Sequence, residues 1–298
     1  MQRGSRRSGL FAAGLASVAL LLAACSATPT TSQTSGAPAP TQSVAPKAGG
    51  NLVLGVTSDP DTLFPWKATQ FQAVAVLQTL YGTLTEFDQN LNVVPGLAES
   101  WNVSTDGLTV TLHLRKGVTF ADGSTFDSAD VVSSLQRIKD KATAAVAASS
   151  LASVTNVAAP DASTVVLTLS APDAALLANL ASVNMAMLSS DDTEAKLTTT
   201  PDGTGPFVFK TRTPNQSLTI ARNDKYWGDK ALLDTVEFRV IPDETSIVSA
   251  MQSGNVQMAV LNDPLVAKTA SAGTIHVEKT PQLSYHVLQL NATKGVLA

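Results

Sequence analysis

Residues 26–48, SATPTTSQTSGAPAPTQSVAPKA, hold almost nothing that can enter a hydrophobic core. All but Gln33, Gln42, Val44 and Lys47 are Ser, Thr, Pro, Ala or Gly. A stretch of this kind buries too little apolar surface to offset the entropy of ordering it, so it reads as a linker. It divides the 298-residue chain into a short N-terminal segment and a body starting near residue 49. As a flexible coil the linker separates its ends by about 26 Å; in extended polyproline form it reaches roughly 70 Å.

The N-terminal segment has the grammar of an export signal. Arg3, Arg6 and Arg7 precede an uncharged run, Gly9–Ala24, rich in Leu, Ala and Val. That run falls short of the about 20 residues a membrane span needs and suits a signal-peptide core. It ends in Leu22-Ala23-Ala24-Cys25, which resembles the bacterial lipobox, and Cys25 is the only cysteine of the chain. The expectation is a lipoprotein signal peptide over 1–24 and an acylated Cys25 at the head of the linker, 25–48. A plain Ala-x-Ala cleavage site is the alternative. Ser5-Arg6-Arg7 also resembles a twin-arginine signal, although Gly9 stands where that motif prefers an aromatic residue. General secretory and twin-arginine export both remain open.

Charge and motif content exclude several function classes for the body. The chain carries 20 Lys plus Arg against 24 Asp plus Glu; without the three N-terminal arginines the balance is 17 to 24, or −7. Such a surface has no global attraction for nucleic acid or anionic lipid. One cysteine permits no internal disulfide and no thiolate zinc site. His113, His276 and His286 lack metal-ligand spacing, and neither a phosphate-binding GxxxxGK[ST] loop nor a GxSxG elbow is present. Gly203-Thr204-Gly205 continues as Pro206-Phe207-Val208 and fails as a dinucleotide fingerprint. No cofactor is implied.

Periodicity predicts a mixed α/β body. Strands are expected at 51–57, 165–169, 207–210, 218–222, 236–241, 256–260, 274–279 and 285–290. Asp106-Gly107 between two alternating runs predicts a hairpin with Leu108, Val110, Leu112 and Leu114 on one face. Helices are expected over 73–80, after Asp127, over the Ala-rich 142–152, from Pro172 to about 181, and over 244–253 between the cap Asp243 and Gly254.

Four segments then stand together. Tyr81-Gly82-Thr-Leu-Thr-Glu-Phe-Asp88 leads to Val94-Pro95-Gly96-Leu97-Ala98-Glu99-Ser100-Trp101. Asp106 to Gly123 contains Leu-Arg115-Lys-Gly117-Val-Thr-Phe120-Ala-Asp122 and leads to Ser128-Ala-Asp130-Val131. Gly203-Thr-Gly205-Pro206-Phe207 precedes Arg222-Asn223-Asp-Lys-Tyr226-Trp227. Last comes Met251-Gln-Ser-Gly254-Asn-Val-Gln257. In this order they resemble the extracellular solute-binding proteins of ABC importers, family 5 (the peptide/nickel/opine-binding type), with Gln257 where that family usually carries Asp. The residues themselves look structural: glycines suit tight turns, Trp101, Phe120, Tyr226 and Trp227 suit a core, Arg115 suits a carboxylate partner such as Glu99, and Asp122, Asp127 and Asp130 suit turns and caps.

The resemblance implies a periplasmic-binding-protein-like type II fold of the large three-domain class. It implies a discontinuous first lobe, 49–68 and 200–298, with a domain inserted at 69–199. It implies a monomer that takes a small solute, most readily an oligopeptide or dipeptide, delivers it to the membrane permease subunits of an ABC importer, and performs no chemistry. Ligand is expected at loops beyond the carboxyl ends of the sheet strands, which points to Ser58, Asp59, Asn262 and Tyr285. Family chains continue past the segment matching Tyr285–Ala298 into a second lobe, so the resemblance also implies truncation with the C-terminal lobe absent. Two other classes stay in view: a non-transporting lipoprotein fragment, and a secreted hydrolase using Asp59 and Asp61, whose spacing of two poorly serves opposed acid and base roles.

Overall fold

The computed structural model describes residues 47–271 and 275–279. A five-stranded sheet has the order β11-β1-β10-β9-β8, formed by β1 (Asn51–Val56), β8 (Phe207–Thr213), β9 (Ser217–Arg222), β10 (Thr235–Val240) and β11 (Met258–Ala259). β1 runs parallel to both β10 and β11, whereas β9 is antiparallel to β10 and β8. The link from β10 to β11 is α5 (Glu244–Gln252), a crossover helix that skips over β1. Parallel neighbours require such a crossover.

A second sheet, order β4-β5-β7-β6, comprises β4 (Ala98–Val103), β5 (Thr109–Leu114), β6 (Val154–Asp161) and β7 (Thr164–Leu169). The β4–β5 hairpin turns at Gly107, φ 71°, and buries Val110, Leu112 and Leu114 on one face. α2 (Ser128–Lys139) packs on this sheet through Val131, Leu135 and Ile138. Its N-terminus is fixed by a capping box: Asp127 accepts from the Ala129 N–H at 2.7 Å, and Asp130 accepts from the Asp127 N–H at 3.0 Å. A cap of this kind contributes about 1 kcal/mol. The remaining elements are α1 (Phe71–Leu80), a short hairpin of β2 (Thr85–Phe87) and β3 (Val93–Pro95), single-turn helices α3 (Leu176–Asn179) and α4 (Glu194–Leu197), and α6 (Pro264–Ser271). One core joins the two sheets, with Trp66, Phe64, Phe120 and Leu77 among its largest fully buried side chains.

Several sequence expectations need correction. The Ala-rich stretch 142–152 forms turns and one 3-10 turn at Ala148–Leu151; alanine favours helix but supplies too little apolar surface to hold one in place. From Pro172 only α3 forms. Residues 275–279 adopt no regular structure, while 274 and 285–290 lie outside the described residues. β6 and α6 are among the elements that escaped the pattern. β6 contains Pro160 and is mostly exposed, as suits an edge strand. α6 starts at a proline, whose absent N–H costs nothing at a helix N-terminus.

Candidate functional site

The parallel strands present three loops at one edge of the five-stranded sheet. Gly55 pairs with Ala259, so Ser58 and Asn262 each lie three residues beyond a matched pair. Val56 pairs with Val240, which sets Asp59 and Asp243 at the same level. The edge thus gathers Ser58–Asp61, Asp243–Glu244 and Asn262–Asp263. Of the four residues expected to meet ligand, Ser58, Asp59 and Asn262 share this edge; Tyr285 lies outside the described residues.

The two charged loops are tied down by partners that sequence reasoning missed. Arg212, near the end of β8, grips Asp59 with Nη2–Oδ2 at 2.8 Å and Nε 3.2 Å from both carboxylate oxygens. Its Nη2 also donates to the Pro60 carbonyl at 2.8 Å, and the Asn215 N–H donates to Asp59 Oδ2 at 3.0 Å. Asn215 sits at φ 58° in the β8–β9 turn, a conformation asparagine tolerates. The Asp59 side chain is only 8% exposed, so its charge is spent inside the protein rather than offered to a ligand amine. Asp61 is occupied as well: it accepts from the Thr62 N–H at 3.0 Å and the Thr69 hydroxyl at 2.8 Å. Neither carboxylate is arranged as an acid or base, which removes the geometric ground for the hydrolase reading.

Glu244 organises the third loop. Its carboxylate accepts from the N–H groups of Asn262, at 2.9 Å, and Asp263, at 3.0 Å, and lies 3.3 Å from the Asn262 side-chain amide. Asn262 is exposed and Ser58 half-buried. The signals for Arg212 and Glu244 were faint: an arginine in an alternating strand and an acid in a first helical turn.

Away from this edge the recurrent segments build structure. Gly203 and Gly205 press on the end of α1; a Cβ at either would stand 2.2 Å from the Leu80 carbonyl oxygen or 2.5 Å from that of Thr79. Asn223 ties this turn to the next segment, donating to Gly205 O at 2.9 Å. Arg115 does not pair with Glu99. Its guanidinium lies 4.5 Å over the Trp227 ring, and its Nε donates to Gly96 O at 2.7 Å. Tyr226, 4.9 Å from Trp227, has its phenol pushed up to about 12 by burial and by the Glu86 charge. Gln257 does what an aspartate at that position cannot do alone: its oxygen accepts from Val53 N–H at 2.9 Å while its amide donates to Gly254 O at 2.8 Å, seating β11 beside β1. Among the described residues no His, Cys, Asp and Glu side chains assemble a group able to hold a metal ion, and no helix is long and apolar enough to cross a membrane.

This arrangement, parallel strands whose loops gather at their carboxyl edge and an antiparallel sheet that falls between β1 and β8 in the chain, is that of the type II periplasmic binding proteins. The chain belongs to the bacterial extracellular solute-binding proteins, family 5, whose model matches residues 92–298. It is 28% identical over 302 residues to the glutathione-binding protein GsiB of Escherichia coli K12, covering 99% of this chain and 54% of that protein. It is 31% identical over 245 residues to the dipeptide-binding protein of the same strain, covering 73% and 46%. Among solved structures it is similar to the periplasmic binding protein DppA from Helicobacter pylori in complex with peptide STSA, with a TM-score of 0.72, 29% identity and coverage of 76% and 50%. The chain therefore spans about half the length of the relatives it matches.

Proposed function

We propose that this chain is the solute-capturing component of an ABC importer, working outside the cytoplasm on peptides or related small solutes. Family membership carries the reading. Relatives named for glutathione and dipeptides, and a structural neighbour holding a tetrapeptide, favour a peptide-like solute. The site geometry agrees with binding rather than chemistry: backbone loops at a sheet edge, a hydrogen-bonding amide at Asn262, and carboxylates already committed to protein donors.

In this proposal residues 49–68 and 200–298 form the first lobe and 69–199 the inserted domain. Cys25, acylated after removal of 1–24, moors a monomer to the outer face of the membrane through the 26–48 tether; stable anchoring takes more than one acyl chain. Calorimetric titration with a dipeptide, a tripeptide, glutathione and a disaccharide tests the solute class. Heat with the peptides and none with the sugar is the expected result. Binding of the sugar alone would overturn the reading.

A further inference from the structure

α1 brings an aromatic ring to the edge that gathers Ser58, Asp59 and Asn262. β8 runs in the same direction as β1, because β10 is parallel to β1 and β9 is antiparallel to both β10 and β8. The last turn of α1 rests against the chain just before β8, where the Gly205 N–H donates to Leu80 O at 2.9 Å. α1 therefore runs back along the sheet, about 15 Å for its ten residues, and its first residue, Phe71, lies toward the carboxyl edge. Two side-chain bonds agree with this placement. Gln72 Nε2 donates to Thr57 Oγ1 at 3.3 Å, and the Thr69 hydroxyl donates to Asp61 Oδ2 at 2.8 Å. The Phe71 ring is 62% exposed. Among the described residues the other exposed aromatic ring is Phe87, which belongs to β2.

We propose that Phe71 is a specificity-determining residue of this edge: an aromatic platform that favours peptides with an apolar or aromatic side chain over peptides without one. The inference rests on the solute-capture reading and deepens it by naming the class of peptide. Two observations carry it. First, charge at this edge is already committed. Asp59, Asp61 and Glu244 accept from protein donors, as do Asp243, from the Ser246 N–H at 2.8 Å, and Asp263, from the Leu265 N–H at 2.7 Å. The Arg212 guanidinium is spent on Asp59 and the Pro60 carbonyl. Contact with apolar groups is then the means of discrimination this edge retains.

Second, the platform is fixed before any solute arrives. Trp66 is fully buried, and its Nε1 donates to Ala186 O at 2.9 Å. The Asn184 side-chain amide donates to Pro65 O at 2.6 Å and to Ala68 O at 3.0 Å. With Thr69 and Gln72 also tied, the backbone on either side of Phe71 is held, yet the ring itself takes no part in the core. A contact on a pre-ordered support costs little ordering entropy on binding. An aromatic pair adds about two- to tenfold in affinity beyond the apolar area it buries.

The test is a titration of the full chain with alanyl-phenylalanine, alanyl-alanine and a disaccharide, followed by nuclear magnetic resonance. It is run on wild type, Phe71→Ala, Phe71→Tyr and Phe87→Ala. Wild type is expected to bind alanyl-phenylalanine about fivefold more tightly than alanyl-alanine. The preference disappears in Phe71→Ala and persists in Phe71→Tyr and Phe87→Ala. Should Phe71→Ala fail to fold, nuclear Overhauser contacts between the peptide ring and the Phe71 ring in wild type decide; they are expected, and their absence with peptide bound overturns the platform. Equal affinity of wild type for the two peptides, or an undiminished preference in Phe71→Ala, overturns the platform and leaves the peptide reading standing. Binding of the disaccharide alone, or of neither peptide, overturns the peptide reading and the platform with it.

Discussion

Arg212 binds Asp59 across the carboxyl edge of the five-stranded sheet, with Nη2 2.8 Å from Oδ2, and so fastens the loop after β1 to the β8–β9 hairpin. The pair is mostly buried, 22% and 8% exposed. Removing one member strands the other charge, which is costlier than losing the pair together. Arg212→Met is expected to lower stability by about 2–3 kcal/mol and Asp59→Asn with Arg212→Met by less. Urea unfolding of the two variants checks this; equal losses in single and double variants would count against the pairing.

Glycines of the Gly203-Thr204-Gly205 turn are held by space and Gly117 by backbone angle alone. Gly203→Ala forces a methyl to within 2.2 Å of the Leu80 carbonyl, whereas nothing lies within 4 Å of a methyl on Gly117, φ 76°. Expected losses are about 3 kcal/mol or more for Gly203→Ala and about 1 kcal/mol for Gly117→Ala. Thermal unfolding of both proteins orders them.

Acid separates two sets of carboxylates. Side-chain hydrogen bonds from Asn92, Ser104 and Thr245 hold Asp88, Asp106 and Asp243 below the usual range, and Ser124 holds Asp122 at about 2. A carboxyl depressed in the folded state stabilises above its unfolded value and loses that contribution as pH falls through its folded value. Stability is therefore expected to fall below about pH 4. Asp106→Asn flattens this acid limb in a urea titration; Asp202, whose carboxyl burial raises, contributes in the opposite sense, so Asp202→Asn acts on the region above it.

Cys25→Ser is expected to shift the protein from the membrane to the soluble fraction. Labelling with a radioactive fatty acid checks it: wild type takes label and the variant does not. Unlabelled wild type with Cys25 still a free thiol would contradict the lipid anchor.

Local chemistry made much of the fold legible. The Asp106-Gly107 hairpin, the Asp127 cap and the Asp243 cap each depend on one or two residues acting on their own neighbourhood. What escaped was decided at a distance. The helix expected over 142–152 lost to the absence of a packing partner. Arg115 was expected to pair with a carboxylate such as Glu99 and instead found Trp227, more than a hundred residues away. At the candidate site, the family resemblance and the expected strand ends pointed to Ser58, Asp59 and Asn262. Neither carried a trace of Arg212, 153 residues from Asp59, so the neutralisation of that carboxylate was invisible until the strands were assembled.

Hydrogen exchange in the presence of a peptide tests most directly whether this edge captures solute. With glutathione or a dipeptide added to the chain, protection is expected at 57–62 and 260–263 and none across 154–169. Because the chain spans about half the length of its relatives, residues 26–298 alone are expected to bind at millimolar concentration, about −4 kcal/mol. Protection confined to the open groove of Lys139 and Asn156, or no protection at either loop with millimolar peptide present, would contradict the account.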